Sequence, residues 1–262
     1  MIEANPRFGG IARLFGAGAL ASLQQAHVCV VGIGGVGSWT VEALARSGVG
    51  RLTLVDLDDV CVTNINRQLH ALDGTVGQPK AEVMAARVRQ INPDAIVQPV
   101  LRFLDATTAA ELLAPDYDCV VDAIDNAPNK CRLIAGARAA GRRVVSSGGA
   151  GGRSDPTRIR TADLAATSHD RLLAQVRTTL RQEHGFPRDG TPFHVPCVFS
   201  TEAPMVPHGG GEVAAACAPG ATRPRGGLGC DAGWGTASYV TGTFGFMLAS
   251  LAVQEILANR RP

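Results

Sequence analysis

The sequence predicts an α/β fold, a doubly wound and mostly parallel sheet with a C-terminal strand and helix extension. Three observations carry this. Residues 28–31 are a short β-branched and Cys run, apolar on both faces, as a strand inside a parallel sheet must be. The turn Gly32-Ile33-Gly34-Gly35-Val36-Gly37 follows, and residues 38–47 then place apolar side chains at helical spacing. Further short apolar runs at 52–55, 96–101, 117–123 and 143–147 alternate with helical patterns, the signature of successive β-α-β units.

Taken in order, residues 6–27 read as a loop and an amphipathic helix ahead of the sheet, with Arg7 and Arg13 on it. The strand, glycine turn and helix start at 28–47 make a Rossmann-like phosphate cradle. Gly32, Gly34, Gly35 and Gly37 let the backbone bend and approach a ligand, and the free N–H groups of the first helical turn point at the anion. Asp56 comes nineteen residues after Gly37, at the end of the second strand, where a carboxylate accepts hydrogen bonds from a ribose. This fits nicotinamide and flavin enzymes as well as ATP users.

The residues after Asp56 favour a triphosphate. Arg67 and Lys80 supply the cations that neutralise charge building on phosphates during attack. Only Lys80 and Lys130 among the twenty-five basic residues are lysines. In a composition leaning so far toward Arg, a retained Lys is either held by geometry or a solvated helix-end charge.

A helix over 80–91 stops at Asn92-Pro93, and 107–113 is a short helix. The strand at 117–123 delivers Asp122, Asp125 and Asn126 at its carboxyl end, where doubly wound sheets bind ligands. Two carboxylates facing a triphosphate imply an intervening Mg²⁺. Asp125 also suits an N-cap for the helix that starts near Pro128. After a helix at 129–140 and the strand at 143–147, the glycine run 148–152 either floors a substrate cleft or is a plain crossover turn. A helix at 169–184 and a strand at 195–200 come next. Arg153, Arg158, Arg160, Arg171, Arg177 and Arg181 crowd this region, as a solvated face or a footprint for RNA phosphates.

Residues 207–230 read as a flexible Gly/Ala/Pro-rich loop. Residues 232–254 carry no charge and are long enough to span a bilayer, but their glycines and hydroxyl side chains suit a buried C-terminal helix, packed at a dimer seam. At 262 residues the chain fits a single domain, with an arm at 1–27, a nucleotide-binding core at 28–150 and a substrate-side extension at 151–262. A formal net charge of +2 is too small to suggest a bulk polyanion binder and does not exclude a local arginine patch. Seven cysteines without a C-x-x-C pair point to a reducing, cytoplasmic setting and away from structural zinc. Membrane association through 232–254 is the alternative location.

Asp56-x-Asp58, Asn64, Arg67-Gln68 and Lys80 behind the glycine turn resemble the E1-like superfamily of ATP-dependent adenylating enzymes. Arg7-Phe-Gly-Gly, Asp122-Ala-Ile-Asp125, the 147–152 glycine segment, Asp155-Pro-Thr157, Val198-Phe-Ser-Thr-Glu202 and Thr243-Phe-Gly-Phe246 are similar to its tRNA threonylcarbamoyladenosine dehydratase branch. The resemblance implies ATP-dependent cyclisation of that modified adenosine at position 37 of tRNA. It puts Asn64, Arg67 and Lys80 on the phosphates, Mg²⁺ on Asp125, and a monovalent cation among the cofactors. It also implies a homodimer in which Arg7 or Arg13 reaches the neighbour's phosphates, and cysteine-desulfurase or sulfur-acceptor proteins as partners. Cys230 lies near a family cysteine within an altered motif, and the chemistry does not require it. The runner-up within the superfamily is an activator of the C-terminal glycine of a ubiquitin-like or sulfur-carrier protein.

Overall fold

The structure, a computed structural model, describes residues 6–207, 212–215 and 234–258. The arm forms α1 (Gly9–Phe15) and α2 (Ala17–Gln25), two helices where one was expected. Gly16 divides them with φ 94°, a conformation that an L side chain resists. Then come β1 (His27–Val31), α3 (Gly35–Arg46), β2 (Arg51–Val55), α4 (Lys80–Ile91) and β3 (Ile96–Val100). The chain continues through α5 (Ala109–Leu112), β4 (Cys119–Asp122), α6 (Ala127–Ala139) and β5 (Val144–Ser147). Beyond the glycine segment lie β6 (Ile159–Asp163), α7 (Arg171–Glu183), β7 (Pro196–Ser200), β8 (Met205–Pro207), β9 (Val213–Ala215) and α8 (Ser238–Ala258).

Seven strands form one sheet in the order β3-β2-β1-β4-β5-β7-β6. All neighbours are parallel except β6, which runs antiparallel to β7 at the edge. The residues beyond the glycine segment thus extend the same sheet. β6 was not anticipated, because its sequence IRTAD lacks the apolar run of a buried strand, and its position at an edge explains that composition.

The all-apolar character of β1 follows from burial on both faces. Val28 and Val30 pack with Val41 and Leu44 of α3 and Phe244 and Leu248 of α8. Cys29 and Val31 pack on the other side with Leu133 and Ile134 of α6 and Leu173 and Val176 of α7. Outward progression through β2 and β3, followed by a return to β4 on the other side of β1, creates the switch point between β1 and β4.

Small residues of α8 serve contacts within this chain. A Cβ on Gly245 would stand 2.6 Å from Trp39 Cβ and 2.7 Å from the Val36 carbonyl oxygen, so the glycine lets α8 lie directly on α3. Thr40 Oγ1 donates to the Gly245 carbonyl across that contact, at 3.1 Å. By length and composition α8 could cross a bilayer, yet 56% of its most apolar window is buried in this fold.

Candidate functional site

A cavity of about 510 Å³ opens at the switch point. Gly32, Gly34, Gly35, Asp56, Asp58, Arg67, Lys80 and Asp125 line it, together with the glycine segment 148–151. The glycines of the turn do different jobs. Gly32 has φ 88°, and a Cβ there would meet the Ala123 carbonyl at 2.8 Å. A Cβ on Gly37 would meet the Gly32 carbonyl oxygen at 1.8 Å, so Gly37 closes the turn from behind and is not among the lining residues. Gly34 precedes α3 and faces open space, which leaves the first N–H groups of α3 accessible to an anion.

Asp56 is buried and holds the turn: Ile33 N donates to its Oδ2 at 2.6 Å and Asp58 N to its Oδ1 at 2.8 Å. Burial pushes this carboxyl up from its ordinary value, against the pull of Lys80 and the two N–H donors. Each oxygen keeps a lone pair for a further donor such as a ribose hydroxyl. Lys80 opens α4, is only 5% exposed, and donates to Asp58 Oδ2 at 2.8 Å. Arg67 is braced from both ends. Its carbonyl accepts from Trp39 Nε1 at 3.1 Å and from Thr241 Oγ1 at 3.0 Å. Its guanidinium donates to the Thr63 carbonyl at 2.6 Å and to Asn66 Oδ1 at 3.1 Å.

Three expectations need correction. Asn64 does not line the cavity. It is fully buried and its Oδ1 accepts from Cys61 N at 3.0 Å, which fixes the short turn that carries Arg67. Asp122 does not face the phosphates either. It lies wholly buried against Lys130, with Nζ to Oδ2 at 2.7 Å, and Ser146 Oγ also donates to that oxygen at 2.7 Å. The helix cap is Asn126 rather than Asp125, since Asn126 Oδ1 accepts from Asn129 N at 3.1 Å. Asp125 is thereby left exposed on the cavity wall. Both lysines are held by geometry, each in an ion pair and each nearly or wholly buried.

The glycine segment floors the cavity. Asp170, the N-cap of α7, accepts from Gly149 N at 2.9 Å, and a Cβ on Gly148 would stand 2.2 Å from its Oδ2. Glu202 fixes the following stretch by accepting from Ser154 N, Ser154 Oγ and Asp155 N. The motif acids beyond the glycines therefore shape the floor without entering the cavity. Arg7 and Arg13 are exposed and absent from the lining, and Cys230 lies outside the described residues, as does most of 207–230.

Several lining residues carried no clear sequence signal. Arg102 reaches the wall from the loop after β3, paired with Glu111 at 2.8 Å, and Trp234 and Thr241 come from far along the chain. His70 lies just behind, 2% exposed, and neither ring nitrogen has a hydrogen-bond partner among the described residues. Burial, with Lys80 nearby, pushes it down to about 4, so it is neutral near pH 7. Its folded value lies below the ordinary 6.5, so its contribution to stability is complete above pH 6.5 and is lost as pH falls toward 4. We expect a loss of up to about 3 kcal/mol across that window. Urea unfolding at pH 7 and pH 4.5 checks this: His70→Phe should show a clearly smaller drop than wild type, and equal drops would refute it.

Of the two carboxylates at the β4 end only Asp125 reaches the wall, and no group of three or more His, Cys, Asp or Glu gathers as a metal cage among the described residues. A magnesium ion here would therefore take phosphate oxygens and water for most of its shell, as that ion commonly does. The donor set fits such a site.

Comparison with known proteins agrees with this geometry. The ThiF family model matches residues 10–261. The tRNA threonylcarbamoyladenosine dehydratase of Escherichia coli (strain K12) is 49% identical over 256 residues, 97% of this chain and 94% of that protein. Its namesake from Haemophilus influenzae is 46% identical over 255 residues, with the same coverage of each chain. The solved structure of the E. coli enzyme in complex with ATP matches with a TM-score of 0.84 at 46% identity, over 97% of this chain and 94% of that one. Because the likeness runs from the arm through the phosphate turn to α8, this chain belongs to the ThiF family of E1-like proteins.

Proposed function

We propose that this protein uses ATP to dehydrate and cyclise N6-threonylcarbamoyladenosine at position 37 of tRNA. The observation that carries the reading is a phosphate turn flanked by two braced cations, Arg67 and Lys80, in a chain nearly half identical along its whole length to enzymes named for that reaction. A carboxylate is a poor electrophile because its leaving group would be oxide. Attack of the substrate carboxylate on the α-phosphate releases pyrophosphate and gives an acyl adenylate, from which AMP leaves readily. The carbamoyl group of the same side chain then attacks the acyl carbon. The ring closes with net loss of one water, and proximity replaces an enzyme nucleophile.

In this scheme the N–H groups at the start of α3 hold phosphate oxygens, and Asp56 holds the ribose while fixing the turn. Arg67 and Lys80 stabilise charge as pyrophosphate departs. A magnesium ion on Asp125 would supply further neutralisation of the phosphates when bound. The enzyme is cytoplasmic in this proposal, in keeping with five free cysteines among the described residues.

It is also a homodimer. Phe8 packs on Gly48 beyond the far end of α3, a helix of 12 residues and so about 18 Å from the turn. An arginine of the arm is therefore better placed to serve a neighbouring chain's cavity than its own. Sulfur-transfer proteins as partners belong to the same proposal by family likeness alone.

The test is incubation of the purified protein with ATP, Mg²⁺ and tRNA carrying the modified adenosine, followed by nucleoside mass analysis. The expected product is lighter by one water. An unchanged nucleoside with ATP bound would overturn the reading, and pyrophosphate exchange seen only with a small carrier protein would favour activation of that protein's C-terminal glycine.

A further inference from the structure

We propose that Arg138, Arg181 and Arg188 form a docking face for the phosphate backbone of a helical RNA stem, remote from the cavity. This rests on the tRNA reading above and adds where the body of that substrate lies. α6 and α7 pack side by side over one face of the sheet, and each starts at the cavity end, near Asn126 and Gly149. Arg138 and Arg181 sit near the other ends of these 13-residue helices, about 18 Å down their axes. A nucleotide held in the cavity does not reach so far, but the stem attached to it does.

The three guanidinium groups are fixed in place by contacts that carry no opposite charge. Arg138 lies 4.5 Å from the centre of the Phe186 ring and Arg181 lies 5.2 Å from that of Phe193. The two rings are buried and meet edge to face at 5.0 Å, so the cations rest on a rigid apolar base. Arg181 Nε donates to the Pro187 carbonyl at 3.1 Å. Arg188 donates from Nε and a terminal nitrogen to the Arg181 carbonyl, at 3.3 and 3.0 Å.

Among the described residues none of the three is ion-paired to a carboxylate. Five arginines elsewhere are paired, Arg46 and Arg87 with Glu42, Arg102 with Glu111, Arg142 with Asp116, and Arg143 with Glu255, while others such as Arg89 and Arg132 also meet only neutral acceptors. Glu183 and Asp189 lie in the same stretch of chain, and the Asp189 carboxylate accepts from Thr191 N. Carbonyl and ring contacts orient a guanidinium while leaving its charge and remaining N–H groups for another acceptor. Like charges gathered on one end of two neighbouring helices suit a polyanion, and phosphate contacts of this kind position an RNA without reading its sequence.

The experiment compares wild type with Arg138→Gln/Arg181→Gln/Arg188→Gln, measuring affinity for modified tRNA across a salt series, the KM for that tRNA, and ATP affinity. The variant should raise the tRNA KM at least tenfold near 0.1 M salt and flatten the dependence of affinity on salt by roughly two to three in log–log slope. ATP affinity and kcat at saturating tRNA should stay within twofold. The corresponding triple lysine variant, which keeps the charge but loses the fork of donors, should recover most of the slope. Arg138→Gln alone, on an exposed side chain, guards against loss of folding and should raise KM at least twofold. A triple variant with wild-type KM and salt slope would overturn the proposal. If wild type leaves the modified nucleoside unchanged, the underlying tRNA reading fails instead, which is a separate result.

Discussion

Lys130→Met should destabilise the protein by about 3–5 kcal/mol, because it strands a carboxylate in the core. Lys130 and Asp122 are both 0% exposed and joined at 2.7 Å. Lys130 Nζ also donates to Ser146 Oγ at 3.2 Å, and Ile124 N donates to Asp122 Oδ1 at 3.1 Å. Burial already pushes the Asp122 carboxyl up, with Lys130 the largest influence holding it down. Without the lysine the carboxyl takes up a proton on folding. Its folded value then lies above its unfolded one, so the variant should gain stability as pH falls and lose it as pH rises through the folded value. Asp122→Asn/Lys130→Met removes both charges while keeping an acceptor for Ile124 N, and should recover much of the loss. Urea unfolding of wild type and the two variants at pH 5 and pH 8 measures this. A Lys130→Met protein within 1 kcal/mol of wild type at both values would show that the pair does not hold β4 to β5 and α6.

That ion pair also marks where sequence reasoning stops. The elements from β1 to α4 are legible because local signals agree there: an apolar run, a glycine turn, an acidic residue at a strand end, and Asn-Pro as a stop. Arg67 and Lys80 are legible as cations of the cavity because their chemistry is unusual beside such a turn. Asp122 is not. A carboxylate at the end of a central strand has the same local signature whether it faces the ligand or a lysine on the next helix, and only tertiary packing decides between them. Asn64 is similar: its side chain stabilises a turn that sequence spacing does not reveal. The glycine segment after β5 could not be assigned without Asp170, which lies twenty-one residues beyond Gly149 and locks it into the cavity floor. β6 escaped because an edge strand needs no apolar alternation.

Arg67→Ala is expected to lower kcat/KM for ring closure by roughly 2–4 kcal/mol of transition-state stabilisation, or about 30- to 1000-fold. Preorganisation is the reason for so large an effect. The Arg67 backbone is clamped by Trp39 and Thr241, and its side chain is tethered to Thr63 and Asn66, so little reorganisation is left when charge moves onto the departing pyrophosphate. Lys80→Met separates catalysis from stability more sharply. Its partner Asp58 has a side chain 51% exposed, so water can solvate the carboxylate left behind and the loss of stability should stay near 1 kcal/mol. Turnover should fall by at least tenfold all the same, because the cavity loses a cation that no other lysine replaces. The same substitution removes a charge that presses the His70 pKa down, so His70 should titrate at a higher pH in the variant. Single-turnover formation of AMP from ATP and modified tRNA, set beside melting temperature and the imidazole resonance of His70, measures all three. Unimpaired AMP formation by either variant would remove that residue from the chemistry. A Lys80→Met protein that melts far below wild type would instead assign the lysine to the scaffold.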